Sequence, residues 1–324
     1  MTPALITCAY YPRLSWRIAS GDARGIGAFG LRNEDAPMSA RSQIARPVAA
    51  MIFIYGDDSY DEQQQRVCAV AVVFGREDQW KQFEDKWTAR NGTIPFHARD
   101  CESDQGDYRV FCHRQNKELY KDCATMLAVS GLGGCSIAIN LMARQNVFPA
   151  SEDIAYYHAF ANLMERIKDL CVRLTVRAEF IFDIHTDSQY NAGALFDSAL
   201  HESPEMLEMF SKLSFGRASE CPRLQAADLF AFESMKRLDN DIGPKKRPLR
   251  KSWLALHNTG QFWATGFSHK YFEDLKQTMP ELEKLTGCNQ NEYAQWLKQR
   301  KRQHSVSSMI AFTDWLNKHR DFRR

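Results

Sequence analysis

Two apolar runs that end in aspartate constrain this chain more than any other feature. "MIFIYGDDSYDE" takes Met51–Tyr55 through Gly56 into Asp57 and Asp58, and "AEFIFD" stops at Asp183. Both have the length and β-rich composition of buried strands. At a strand end the side chain leaves the core while its backbone stays rigid, so this is where an α/β sheet presents chemistry. Strand and helix patterns alternate around the two runs. "VCAVAVVFG" (67–75) is expected to pair with the first run as a hairpin. "REDQWKQFEDKWTARNG" sets Trp80, Phe83 and Trp87 at the i, i+3, i+7 spacing of an amphipathic helix that stops at Asn91-Gly92. A helix over "RQNKELYKDCATMLAVSG", a strand over "CSIAINLM" (135–142) and a helix capped by Ser151 follow. After the strand ending at Asp183 come a short helix over "NAGALFDSALH", a strand over "KLSFGRAS" and a helix over "LQAADLFAFESMKRL". This order predicts an α/β fold with a mixed sheet flanked by helices.

The flanks read differently. Residues 1–50, with "IASGDARGIGAFGLRNEDAPMSARS", have no periodicity and are expected to be a poorly ordered N-terminal extension. The domain is expected over 51–238, and a basic helical C-terminal appendix over 239–324, with "GPKKRPLRK" and "KQRKRQH". From 236 to 324 there are 18 Lys and Arg against 9 Asp and Glu, whereas 1–235 holds 24 against 31. An acidic body with a basic tail suits a metal-dependent enzyme acting on a polyanion. Unrelated surface drift produces the same asymmetry; if nucleic acid is the partner, Lys245, Lys246 and Arg247 are candidates for gripping its backbone. Basic runs of this kind are also common as solvated linkers. Nine cysteines, an odd number with no CxxC pair, and no secretory leader point to a reduced cytoplasmic protein. No stretch approaches the roughly 18–20 uninterrupted apolar residues of a membrane helix, so no membrane partner is expected.

A third acid belongs with the strand-end pair. Asp228 lies beside the stripe formed by Leu224, Ala227 and Ala231, near the expected seam between helix and sheet. A carboxylate there costs free energy unless hydrogen-bonded or neutralised, and Gln225 is one turn away to donate such a bond. Three converging aspartates would raise one another's pKa values. A divalent cation removes that repulsion, and carboxylate oxygens suit Mg²⁺ or Mn²⁺ over Zn²⁺. Taken singly, each acid has a plainer role. Asp57 and Asp58 are good turn formers, Asp183 could cap the next helix, and Asp228 could be a satisfied polar residue at a helix margin.

In this order and at these separations, "YGDDS", "FHARD", "FIFD" and "LQAADLFAF" resemble the domain-of-unknown-function (DUF) 3800 family over roughly residues 51–237. Leu224-Gln225-Ala226-Ala227-Asp228 is the most specific match. The resemblance implies an RNase H-like fold and a frequent link to mobile elements, phage or defence loci. It matches Asp57, Asp183 and Asp228 to the first-strand, central-strand and final-helix acids, the positions that hold metal in RNase H-like nucleases. Asp58 stands where the family usually has Glu, and Tyr60 where Gly is common. No fourth acid of the RNase H type is obvious. Asp100, Glu62 and Glu233 are candidates, and His97 is a candidate proton carrier, although a loop histidine is more often a surface hydrogen-bonder. The expected function is a metal-dependent, nuclease-like hydrolase of phosphodiester bonds in DNA or RNA. Asp57, Asp183, Asp228, His97 and Asp100 would be catalytic, the first three holding metal, and Gln225 would join the basic residues in binding substrate. The alternative is a non-catalytic nucleic-acid- or protein-binding module that retains the fold.

Overall fold

The computed structural model describes residues 50–147, 153–184, 189–244 and 246–273. Its elements run β1 (Ala50–Tyr60), β2 (Val67–Gly75), α1 (Glu77–Asn91), α2 (Ala98–Ser103), α3 (His113–Ala128), β3 (Gly133–Asn140) and α4 (Leu141–Val147). Then follow α5 (Asp153–Leu174), β4 (Val176–Asp183), α6 (Gln189–Glu202), α7 (Pro204–Met209) and β5 (Phe210–Gly216). The last are α8 (Pro222–Ile242), α9 (Lys251–His257) and β6 (Phe262–Phe267). Six strands form one mixed sheet in the order β5-β4-β1-β2-β3-β6. β1–β2 and β2–β3 are antiparallel; β1–β4, β4–β5 and β3–β6 are parallel.

The hairpin between β1 and β2 is closed by a carboxylate. Asp61 Oδ1 accepts the backbone N–H groups of Arg66 at 2.7 Å and Val67 at 2.9 Å. Turn formation is thus the work of Asp61, not of Asp57 or Asp58. β2 is buried from Val67 to Val73 because helices cover both faces of the sheet, which is why its sequence is apolar without alternation. β1 does alternate. Ile52 and Ile54 enter the core under α5, and Phe53 and Tyr55 the core under α8. Where β1 meets β4, the ring of Phe182 lies across Gly56, and a Cβ at that glycine would sit 2.4 Å from ring carbons.

α8 crosses β1 and β2 with α1, α2 and α9 against its outer side. Every residue from Leu224 to Met235 is buried, rather than the single stripe its spacing suggests. α1 meets the prediction closely, with Trp80, Phe83 and Trp87 buried. Their rings continue a ladder of edge and tilted contacts from Tyr55 to Phe96, with centroid separations of 4.8 to 5.8 Å.

The structure corrects three boundaries. The expected edge of the domain at 238 falls inside α8, and β6 adds a strand beside β3, so 239–273 belong to the body rather than to a helical appendix. Strand 135–142 runs instead from Gly133 to Asn140, after which the chain turns into α4. "FHARD", expected as a loop, opens the helix α2. The N-terminal extension up to residue 49, Lys245, and residues 274–324 with "KQRKRQH" lie outside the described residues. Among the described residues no helix is long and apolar enough to cross a membrane.

Candidate functional site

β1 and β4 run parallel, with Gly56 opposite Phe182, and the next position on each strand is aspartate. Asp57 and Asp183 therefore stand side by side, their backbones separated by the strand spacing of about 4.8 Å. Alternation from Tyr55 and Ile181 puts both on the face that α8 covers. Asp58 points to the other face, where its charge raises the hydroxyl pKa values of Tyr60 and Tyr156, secondary to burial in each case. The adjacent acids of "GDDS" thus serve opposite sides of one sheet.

Asp228 reaches the same end of the sheet from α8. It is buried, and burial pushes its carboxyl above the usual carboxylate range. The negative charge of Asp183 pushes in the same direction, while His97, the Ala98 N–H and Arg99 oppose it. An acid sensitive to both Asp183 and His97 lies among the predicted site residues.

Each of the three carboxylates accepts one backbone N–H at 2.7 Å. Asp57 Oδ1 takes that of Asp58, Asp183 Oδ1 that of Ala218, and Asp228 Oδ2 that of Ala98. Such bonds fix the side-chain rotamer. Asp228 finds its donor in Ala98 and not in Gln225, whose Nε2 donates to Ala218 O at 2.9 Å.

His97 precedes α2, its backbone N–H held by the Tyr108 hydroxyl at 3.0 Å. Its Nδ1 lies 3.0 Å from Asp100 Oδ2, and about half of the imidazole side chain is exposed. The expected His97–Asp100 pair is present. Asp100 in turn leans over Gly106, where a Cβ would come within 2.9 Å of its Oδ2.

The other candidates for a fourth acid are elsewhere. Glu62 is exposed in the hairpin turn. Glu233 is fully buried and accepts from the Tyr120 hydroxyl at 2.6 Å, the Ser252 hydroxyl at 2.7 Å and Arg250 Nε at 3.1 Å. That set of partners makes it a structural acid. Lys246 and Arg247 are exposed beyond the C-terminus of α8. At 1.5 Å per residue they stand about 20 Å along the helix from Asp228. Sequence reasoning missed Arg223, which precedes Asp228 by five residues. Its guanidinium binds both oxygens of Glu77 at 2.8 and 2.9 Å and Glu84 at 2.8 Å, and touches the Tyr55 hydroxyl at 3.1 Å. It docks α8 onto α1.

Compared with models of known families and with curated proteins, the chain matches none. What the site can do rests on its own chemistry. Among the described residues no three His, Cys, Asp or Glu side chains stand in a metal-holding arrangement. The donor chemistry of Asp57, Asp183 and Asp228 nevertheless fits a hard divalent ion: all their donors are carboxylate oxygens, and Asp228 is a buried acid under a neighbour's repulsion.

Proposed function

We propose that this protein is a metal-dependent, nuclease-like hydrolase of phosphodiester bonds, built on an RNase H-like fold of the DUF3800 type. The observation that carries the reading is the position of Asp57 and Asp183, each one residue beyond the last β1–β4 pair, Gly56 with Phe182, with Asp228 on the helix above and subject to the charge of Asp183. The mixed six-stranded sheet flanked by helices is in keeping with the fold the resemblance implies.

Asp57, Asp183 and Asp228 would hold Mg²⁺ or Mn²⁺. When bound, such an ion supplies Lewis acidity toward a phosphate oxygen and lowers the pKa of a coordinated water. The chain's own part is to hold three carboxylates in orientation through the amides of Asp58, Ala218 and Ala98. His97, oriented at Nδ1 by Asp100, has Nε2 with which to pass a proton to or from a leaving oxygen. Arg99 adds positive charge near Asp228. Lys246 and Arg247 would grip the phosphate backbone away from the acids, a sequence-independent contact.

The structural use of Glu233 favours a second reading, a binding module that keeps the fold without a full acid set. Incubating the purified protein with mixed single- and double-stranded DNA and RNA, with and without Mn²⁺, separates the two. Cleavage that needs Mn²⁺ and disappears in Asp57→Asn and Asp183→Asn supports the enzyme. Binding without cleavage at any Mn²⁺ concentration supports the module.

A further inference from the structure

Gln225 sits between the two backbone segments that anchor Asp183 and Asp228. Its side chain is buried and both ends of its amide are engaged. Oε1 accepts from Trp87 Nε1 at 2.8 Å and from the Phe96 N–H at 3.0 Å, while Nε2 donates to Ala218 O at 2.9 Å. Two residues beyond Phe96, the Ala98 N–H donates to Asp228 Oδ2. Ala218, whose carbonyl accepts from Gln225, gives its own N–H to Asp183 Oδ1. The acceptor end of one amide therefore secures the anchor of Asp228, and the donor end secures the anchor of Asp183.

We propose that Gln225 is a positioning residue, a tie that sets Asp183 and Asp228 relative to each other by holding the backbone segment each one leans on. This replaces the substrate contact expected of it. The residue types available explain the choice. A carboxylate of the same length offers acceptors only, a lysine donors only, and asparagine is one methylene short. The aromatic ladder gives the tie a rigid post, since Trp87 Nε1 shares Oε1 with the Phe96 N–H. Partners of this outer kind change the affinity of a metal site without touching the ion.

Amide hydrogen exchange on the full chain tests the tie directly. In Gln225→Met, which keeps the volume and loses both functions, peptides spanning 93–101 and 214–222 should both exchange about ten-fold faster, with β2 unchanged. Gln225→Glu isolates one half. In its ionised form, reached at the high end of the exchange pH range, its carboxylate keeps the Phe96 anchor but has no proton for Ala218 O. Only 214–222 should then quicken. Acceleration of a single segment in Gln225→Met, or of both or neither in Gln225→Glu, overturns the tie.

A second arm rests on the proposed metal reading. Titration calorimetry with Mn²⁺ alone should show affinity falling about ten-fold in Gln225→Met, alongside cooperative urea unfolding. Wild-type affinity in Gln225→Met, with its exchange accelerated, would make Gln225 merely structural and overturn its positioning role. No Mn²⁺ binding by the wild type would sink the metal reading, and the exchange arm would still decide the tie.

Discussion

A buried carboxylate beside a second negative charge holds its proton more tightly than one in water, and Asp228 has both burial and Asp183 acting on it. Its folded-state pKa is raised above the ordinary value of 3.8. The stability tied to this group is therefore intact below that value and is lost as pH rises through the folded-state pKa. Taking the difference between wild type and Asp228→Asn cancels the other titrations. Urea unfolding should show the wild type losing stability relative to the variant as pH rises above the ordinary carboxylate value of 3.8. A difference that stays flat with pH would remove the raised carboxyl from the account. Gly56 makes a steric prediction at the same scale. Gly56→Ala drives a methyl into the Phe182 ring, one position before Asp57 and Asp183 on their strands, and should cost about 1–3 kcal/mol in urea unfolding.

At the scale of elements, α8 holds the design together. It is buried on all sides, docked to α1 through Arg223, and joined through Glu233 to Arg250 at the start of α9. Removing Arg250 leaves Glu233 buried with only hydroxyl partners, so Arg250→Ala should cost about 3–5 kcal/mol by chemical denaturation. Ending the chain at 238 removes that contact together with α9 and β6. Such a protein should lose its cooperative unfolding transition, and retention of a wild-type transition would show that 239–273 are dispensable to the fold. The strands carrying Asp57 and Asp183 were legible because apolar runs of strand length lead into acids, but only β4 ends there; β1 continues past Asp57 to Tyr60, paired with β2. The aromatic spacing of α1 was legible for a similar reason. α2 has six residues, too few for a period to emerge, and "FWATGF" mixes small and polar residues that hide β6. The amide donors of Ala98 and Ala218 left no mark in the sequence, because every residue except proline carries a backbone N–H. Gln225 did stand out, but only the fold shows which two segments its amide joins.

For the whole molecule, the question is whether three acids from β1, β4 and α8 act as one unit. Their common face, the parallel register of Gly56 with Phe182 and the repulsion of Asp228 by Asp183 are the grounds on which we propose that they do. The basic residues described so far, Lys246 and Arg247, lie at the far end of α8, so a bound polyanion would have to extend along the helix to meet both. Nucleic-acid affinity of the full chain should then fall with salt, and should fall less steeply in Lys246→Ala/Arg247→Ala; identical slopes would remove these residues from the interface. The most direct test of the shared pocket is a thermal melt of the full chain with increasing Mn²⁺, for wild type, Asp57→Asn, Asp183→Asn and Asp228→Asn. The account predicts a midpoint that climbs with Mn²⁺ in the wild type and does not move in any of the three variants. A wild type indifferent to Mn²⁺, or a variant that climbs as the wild type does, would contradict it.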